Sequence, residues 1–512
     1  MIRRPPRSTQ GVSSAASDVY KRQVALGLPK DRIRVNPVAI GGDYGGKGSA
    51  MDIPVAYFLA LKTGHPVKMV MDYLEEFTAG NPRHSAVINL KTGVMKDGTL
   101  VAHEARIIFN SGAYGGFKPT PGVNLGGASK AGGPYRIPHT DIRAVHVYTN
   151  TVPGGFMRAP GEPQTLFASE SHMDCIATEL EMNPVEFRLK NLINDGEKTS
   201  IGTIYKSVRA KETFESALKA SNYWSAKRPH MGRGVAIAER PAAGGLSHSA
   251  VTLSLDGTVV VNTSIFEPGT GTNNLLKQIV GEELNLDPHL IDVEVWDTDA
   301  VEFDTGVGGS RVTRIAGTAA LRSAEQARRE LFSIGADLLG WQEEQIYIEG
   351  HNLCNNNTGE KQHWPELLRR LGQPLKASVS INEPDPSNIT SFTAQVAEVS
   401  VDPETGQIEL LKFITAHDVG TILNPIEHQG QIEGAVIQSI GFALTEGLEI
   451  SDGRVTNPTL GEYRLPNIKD IPELITLLLP SEIGSGPYNS CLLYTSDAAD
   501  DTPCVDLGGR RI

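Results

Sequence analysis

The sequence predicts a mixed α+β fold built in two halves. Three observations predict it: strand patterns that occur as hairpins, amphipathic patterns long enough for helices, and a polar, charged stretch at about residues 194–230 that interrupts both. The length of 512 residues allows more than one hydrophobic core. We therefore predict a first domain over residues 24–210 and a second domain over residues 230–490.

The first half contains five elements that its local patterns indicate. The turn residues Lys96-Asp97-Gly98 indicate a hairpin, and Leu166, Met173 and Leu180 recur at the spacing of one helix face. Gly64 is a typical helix stop. The predicted elements, in chain order, are a strand at 32–40, a helix at 51–62, a strand at 65–72, a hairpin at 86–110 and a helix at 164–182.

The second half opens with strands and continues with longer helices. Asp256-Gly257 predicts a tight hairpin turn, and residues 351–390 are rich in Asn, Gly and Pro, which indicates an excursion with one short helix. The predicted elements, in chain order, are a strand at 232–239, the hairpin at 256–257, a helix at 272–284, a strand at 291–299, a helix at 316–340, a hairpin at 394–416 and a helix at 426–445.

The composition excludes several classes of protein. The net charge is -13, and no Lys/Arg-rich patch is interleaved with aromatic residues, which argues against nucleic acid as a partner. The sequence contains no apolar run of about 18 residues, so it predicts no transmembrane segment. No secretory signal is visible, so we expect the protein in the cytoplasm and leave the periplasm open. The four cysteines lack CxxC spacing, which argues against iron–sulfur ligation within this chain.

Glycine-rich segments join predicted regular elements at several places. Glycine allows a positive φ and a close approach of backbone to ligand, and successive N–H groups before a helix attract anions. Each segment alone is either a cradle for an anionic cofactor or a tight turn. GGDYGGKG is neither a dinucleotide fingerprint nor a P-loop, which argues against a simple nucleotide-binding protein. The segments are 41–48, 154–164, 267–274 with 306–313, and 417–425 with 430–435.

Six motifs in order resemble the large subunits of the xanthine dehydrogenase and aldehyde oxidase superfamily. The resemblance runs from about Val24 to about Ser490. It rests on these segments: GGDYGGK, MRAPGEPQTLFASESHMDCIATEL, GTGTNNLLKQIVGEEL, GGSRVTRIAGTAA, HDVGTILNPIEHQGQIEGAVIQSIGFALTEG and NPTLGEYRLPNIKDIPEL. It implies two molybdenum-cofactor-binding domains with the cofactor in the crevice between them.

The resemblance also implies which residues surround the molybdenum–molybdopterin cofactor. It assigns the loop Gly42, Asp43, Tyr44 and Gly45 to the side of the metal's oxo and sulfido ligands. The loop Gly309, Ser310, Arg311 and Thr313 is assigned to the pterin or its phosphate tail, and a cytosine dinucleotide form stays open. Arg158 matches an arginine of the substrate-side loop, and Gln431 matches a glutamine that hydrogen-bonds the metal centre. No side chain is assigned as a direct metal ligand.

The implied activity is hydroxylation of a small molecule with water, with a glutamate as the general base. In the family this glutamate ends a motif like GPYxxKxxGE. Here GSGPYNS (484–490) is followed by CLLYTSDAADD, so the expected glutamate is missing and no catalytic residue is assigned. Gly48 replaces the Glu of purine-oxidising members, the Arg158 loop lacks the Cys of carbon monoxide dehydrogenases, and Thr270 replaces a common Gln. These departures leave an aldehyde or an N-heteroaromatic substrate.

The two ends of the chain differ from its body. Residues 1–23 and 491–512 resemble translated adapter read-through, so we expect both tails to be foreign and to pack poorly, and Ser8-Thr9-Gln10 to match the family's S-T-Q by coincidence. We expect an iron–sulfur partner subunit, and an FAD subunit as a further candidate, to carry electrons away. The alternative is a non-catalytic, pterin-binding polypeptide.

Overall fold

The computed structural model describes residues 26–35, 41–42, 44–47, 53–113, 125–297, 300 and 303–490. The two predicted foreign tails, Ser8-Thr9-Gln10, Asp43 and Gly48 lie outside these residues. The helices are α1 (Ile53–Thr63), α2 (Tyr73–Ala79), α3 (Glu162–Glu179), α4 (Pro184–Asn191), α5 (Ala210–Ala220), α6 (Thr272–Leu284), α7 (Gly317–Leu339), α8 (Trp364–Leu371), α9 (Pro425–Leu444) and α10 (Leu460–Tyr463). None of the described helices is both long and apolar enough to cross a membrane.

The strands form sheets of mixed direction, which confirms the predicted α+β class. One sheet has the order β1-β2-β3, and two four-stranded sheets have the orders β11-β5-β6-β7 and β16-β13-β12-β4. Each of these three sheets contains one parallel pair among antiparallel ones. The strands of these sheets are β1 (Ala86–Val94), β2 (Leu100–Gly112), β3 (His139–Tyr148), β4 (Met231–Pro241), β5 (Gly245–Leu253), β6 (Val259–Thr263), β7 (Ile291–Val295), β11 (Leu375–Glu383), β12 (Thr390–Val401), β13 (Ile408–Gly420) and β16 (Glu473–Pro480). Two small sheets contain β8 (Ile346–Glu349), β9 (Asn352–Asn355) and β10 (Lys361–His363), and β14 (Ile450–Ser451) and β15 (Arg454–Val455).

The strand predicted at residues 65–72 is wrong. These residues form no strand, and Asp72 instead caps α2, which the sequence analysis missed. The Asp72 side chain accepts the Glu75 N–H at 2.9 Å, and the Glu75 side chain accepts the Asp72 N–H at 2.8 Å. This capping box provides partners for two N–H groups at the start of the helix. The short apolar run before it therefore leads into a helix.

Two other predictions needed correction or fall partly outside the described residues. The excursion at 351–390 holds the predicted short helix α8, and it also contains β9, β10 and β11, so it belongs to two sheets. In the strand predicted at 32–40, the structure describes only residues up to Val35, preceded by a short 3₁₀ turn at Lys30–Arg32. The predicted hairpins and the long helices are confirmed.

One hydrophobic core includes residues from both predicted halves. Phe187 and Phe214 are buried together with Ile237, Phe392 and Ile414. Phe214 lies on α5, in the stretch that the sequence analysis places at the domain boundary. The two halves therefore share buried contacts across that stretch, and the domain boundaries themselves stay a prediction.

A buried ion pair ties α3 to α4 and to β4. Arg188 is fully buried; its Nε donates to Glu170 Oε2 at 3.0 Å and its Nη1 donates to Asp174 Oδ1 at 2.6 Å. The Glu170 carboxylate also accepts the Tyr135 hydroxyl at 2.7 Å and the Ile237 N–H at 3.0 Å. Because Ile237 belongs to β4, the carboxylate bridges the two sides of the shared core.

Candidate functional site

The loop at Gly41–Lys47 packs closely against the loop at residues 154–164. The backbone of Tyr44 has φ +50°, and a Cβ atom at Gly42 would overlap the Tyr44 ring. Gly45 has φ +94°, and a Cβ atom there would lie 2.9 Å from Phe156 Cβ. Positive φ and close approach both favour glycine. Gly45 therefore allows the close contact with the second loop, and Gly42 leaves room for the Tyr44 ring within its own loop.

Arg158 connects this first loop to α9. Its backbone N–H donates to the Tyr44 carbonyl at 2.6 Å, and its guanidinium carbon lies 5.7 Å from the centroid of the Tyr44 ring. Its Nη1 donates to Gln438 Oε1 at 2.8 Å, and its Nη2 donates to the Gln431 carbonyl at 3.3 Å. The buried side chain thus brings three of the segments chosen from the sequence into direct contact.

Gln431 extends this chain of contacts to the loop before α6. Its Nε2 donates to the Gly269 carbonyl at 3.4 Å. Residue Thr270, where many relatives of the predicted family carry a glutamine, bonds Thr272 through their hydroxyls at 3.1 Å. The shorter threonine side chain is therefore engaged within its own loop.

Glu267, which the sequence analysis missed, accepts hydrogen bonds from the backbone N–H groups at the start of α6. Its carboxylate accepts the N–H groups of Gly269, Thr270, Gly271 and Asn273 at 2.6–3.1 Å. This glycine-rich segment was a candidate anion cradle, and the anion it holds is this carboxylate. A Glu two residues before a GTG turn is the signal that could have indicated the arrangement.

The loop at Gly309–Thr313 contains buried polar atoms that lack partners. Ser310 has φ +54° and is 2% exposed, and its Oγ has no hydrogen-bond partner among the described residues. Arg311 donates from Nη1 to the Thr305 carbonyl at 3.1 Å. Its buried Nε has no hydrogen-bond partner within the part of the chain that the structure describes. Burial lowers the pKa of Arg311. Because buried polar groups normally have partners, this loop fits a polar, anionic ligand.

Residues at the end of β4, including Arg240, lie between the loop at Gly309–Thr313 and the Arg158 loop. Arg240 forms an ion pair with Glu162, which follows Arg158 at the start of α3. Its charge also contributes to lowering the pKa of Arg311, and the Gly309 carbonyl accepts the Ala243 N–H at 3.0 Å just beyond β4. Tyr44, Arg158 and Gln431 are thus joined directly. The link to the loop at Gly309–Thr313 passes through the end of β4, where Arg240 pairs with Glu162 and Ala243 bonds Gly309. That all of them line one crevice stays a prediction.

Two buried histidines, His417 on β13 and His428 on α9, are expected to make the stability depend on pH. Burial lowers the pKa of His417 to about 3 and that of His428 to about 4. Below about pH 6.5 these two histidines bind protons in the unfolded chain but stay neutral in the folded chain. We therefore expect the free energy of unfolding to fall as the pH falls from 6.5 to about 4. For His417 the loss should reach about 3 kcal/mol at pH 4. Urea unfolding between pH 4 and 7 measures it.

The variant His417→Gln isolates this effect, and the exposed residue His289 provides the control His289→Gln. Burial raises the pKa of Asp418 to about 6 against the opposing effect of Arg209. Asp418 therefore makes stability rise as the pH falls, which is opposite to the effect of His417. The pH dependence of the wild type alone mixes the two effects, so the variant must be compared with the wild type at each pH. The difference between wild type and His417→Gln should shrink as the pH falls from 6.5 to 4. A constant difference over that range would contradict the prediction.

A family model described as molybdopterin cofactor-binding domain matches residues 206–472, and a second with the same description matches residues 7–192. The second match includes residues 7–23, which the sequence analysis assigns to a foreign tail, and the origin of that tail stays a prediction.

Similar curated proteins are longer than this chain. It is 30% identical over 485 residues to a probable xanthine dehydrogenase subunit of Bacillus subtilis (strain 168), covering 91% of this chain and 64% of that protein. It is 27% identical over 479 residues to the aldehyde oxidoreductase of Megalodesulfovibrio gigas, covering 90% and 50%. The chain therefore spans about half to two thirds of the length of these relatives.

Solved structures show the same fold. The crystal structure of quinoline 2-oxidoreductase from Pseudomonas putida 86 matches 96% of this chain and 67% of that one, with a TM-score of 0.86 and 21% identity. The aldehyde oxidoreductase from Desulfovibrio gigas matches 96% of this chain and 54% of that one, with a TM-score of 0.79 and 24% identity. At these identities the likeness establishes the fold.

Proposed function

The chain belongs to the molybdopterin cofactor-binding family of the xanthine dehydrogenase and aldehyde oxidase superfamily, and from this we propose that it holds the pterin and molybdenum of a hydroxylating oxidoreductase. The observation that carries the proposal is the loop at Gly309–Thr313. Its buried Ser310 Oγ and Arg311 Nε have no partner among the described residues. A hydroxyl and a guanidinium are donors suited to phosphate oxygens.

We assign the remaining site residues to the metal side of the cofactor, following the family resemblance. The bound metal would supply Lewis-acid and redox chemistry. Tyr44 and Arg158 would hold the backbone around it, since each fixes the other through the 2.6 Å hydrogen bond. Gln431 would present its side chain beside the loop at residues 267–271. Arg158 then serves to orient the site, and no proton transfer is assigned to it.

The substrate class and the partners are part of the proposal. We assign an aldehyde or an N-heteroaromatic ring as substrate, because Gly48 offers no side chain to bind a purine. The tail of the cofactor is a phosphate or a cytidine dinucleotide. Electrons leave through an iron–sulfur partner chain, with an FAD chain as a further candidate. We place the enzyme in the cytoplasm, with the periplasm as the alternative. The same site serves a pterin-binding polypeptide without turnover, which is the rival.

The test is the cofactor content of the full chain. We expect the chain, expressed in a host that makes molybdenum cofactor, to retain roughly one pterin per chain, measured as the fluorescent oxidation product, with molybdenum by mass spectrometry. Pterin no higher than in an unrelated purified protein would contradict the proposal. With partner chains added, oxidation of aldehydes or heterocycles supports the oxidoreductase, and bound pterin without any turnover supports the rival.

A further inference from the structure

A short segment between α2 and β1 backs the Arg158 loop. This 81–84 segment consists of Asn81, Pro82, Arg83 and His84. Arg83 donates from Nη2 to the Arg158 carbonyl at 2.6 Å and from Nη1 to the Ala159 carbonyl at 3.4 Å. One guanidinium therefore donates hydrogen bonds to two successive backbone carbonyls of the loop.

The same segment contacts the loop on both sides of Arg158. A Cβ atom at Gly154 would overlap the His84 ring, and one at Gly155 would overlap Asn81. Farther along the loop, the Gln164 Nε2 donates to the His84 carbonyl at 2.8 Å. The loop is thus seated on the segment before and after Arg158, with glycines where the approach is closest.

The Arg158–Ala159 peptide is held in a costly conformation. Ala159 is 1% exposed and has φ +56°, a left-handed backbone that is sterically unfavourable for an alanine. Such conformations persist only where the surroundings fix them. Because the peptide is planar and trans, holding the Arg158 carbonyl toward Arg83 makes the Ala159 N–H point the opposite way.

Arg83 is itself held by α9. Its guanidinium carbon lies 4.7 Å from the centroid of the Phe442 ring. Burial raises the pKa of Glu446, and the charge of Arg83 partly opposes that rise. Arg83 therefore spans from the Arg158 loop to the helix that carries Gln431, and a shift of either would displace it.

We infer that Arg83 is a positioning residue, which fixes the direction of the Arg158–Ala159 peptide at the proposed cofactor site. The inference rests on the proposed function, and it concerns an arginine that the motif analysis did not select. Arg158 is then fixed from both sides. Its N–H is bound by the Tyr44 carbonyl and its carbonyl is bound by Arg83.

The test compares Arg83→Met with Arg83→Lys in the pterin-loaded full chain. Methionine keeps much of the length and loses both donors, while lysine can still donate to one carbonyl. We expect Arg83→Met to keep its pterin within twofold, because the loop at Gly309–Thr313 is untouched. The visible circular dichroism of the bound cofactor should fall at least twofold. Arg83→Lys should recover part of that signal.

The control Arg106→Met removes a guanidinium that pairs with Asp141 at the surface and should change neither the pterin content nor the dichroism. If Arg83→Met does not fold, Gly154→Ala displaces the loop without removing a donor, and it should lower the dichroism in the same way.

The outcomes separate the two proposals. Absence of pterin from the wild-type chain overturns the proposed function. A wild type that binds pterin, with Arg83→Met unchanged in dichroism, overturns the positioning role alone. A Gly154→Ala variant that folds and matches the wild type in dichroism also overturns it.

Discussion

Replacing Arg188 with methionine is expected to lower the free energy of unfolding by about 3–5 kcal/mol, the usual cost of removing one partner from a buried ion pair. The Glu170 carboxylate would stay in the shared core with its charge uncompensated, since Arg188 Nε supplies its ionic partner at 3.0 Å. The Asp174 carboxylate would also lose a hydrogen bond of 2.6 Å. Chemical denaturation of the full chain measures the change.

The control for this prediction is Arg143→Met, because the Arg143 side chain is 69% exposed and pairs with Asp141. Exposed pairs contribute little, so we expect a change within about 0.5 kcal/mol. Adding Glu170→Gln to Arg188→Met should restore part of the loss, because no buried charge then remains unpaired at that point. A loss under about 1 kcal/mol for Arg188→Met alone would contradict the prediction. It would show that water or a rearranged side chain takes the place of the Arg188 guanidinium beside Glu170.

The second large effect is expected at Arg311. The variant Arg311→Met should lower the pterin retained by the full chain about 10–100-fold, since a hydrogen bond to a charged group contributes about 1.5–3 kcal/mol. The control is Arg322→Met on α7, an exposed arginine paired with Glu325. Pterin fluorescence after gel filtration and the dissociation rate on dilution measure the effect. Equal retention by Arg311→Met and wild type would remove this loop from the proposed cofactor site.

Local patterns predicted the elements that local forces determine. The hairpin before β2 needed Gly98, which has φ +83°, and glycine at such a turn is readable from sequence. The strand prediction at residues 65–72 failed because one capping interaction between Asp72 and Glu75 outweighed a short apolar run. Strand β16 was missed because its partner, β13, lies far away in the sequence, and only that parallel pairing establishes it.

The site was predictable in its parts and not in its connections. The order of the motifs selected Tyr44, Arg158 and Gln431, which the structure brings into contact. Nothing in a glycine-rich pattern says which side chain fills the resulting N–H groups, so Glu267 was missed. Arg83 was missed for the same reason, because its role depends on the carbonyls it reaches.

The stretch at 194–230 shows how composition misleads. Its charged residues suggested a linker, yet Ala210, Phe214 and Ala217 recur at helix spacing and are all buried on α5. The charged residues of that helix face outward, so the average composition of the stretch is polar while one face is buried. Counting periodicity in place of composition would have predicted α5.

The shared core also sets an order of events during synthesis. Phe187 and Phe214 leave the ribosome early, but the strands that cover them, β12 and β13, end only at Val401 and Gly420. At about 5–20 residues per second, these aromatic side chains wait roughly 10–40 s for their covering strands. During that interval the nascent chain exposes an unfinished apolar surface. We expect ribosome-associated chaperones to crosslink to chains stalled at residue 380, and far less to chains stalled well beyond residue 480.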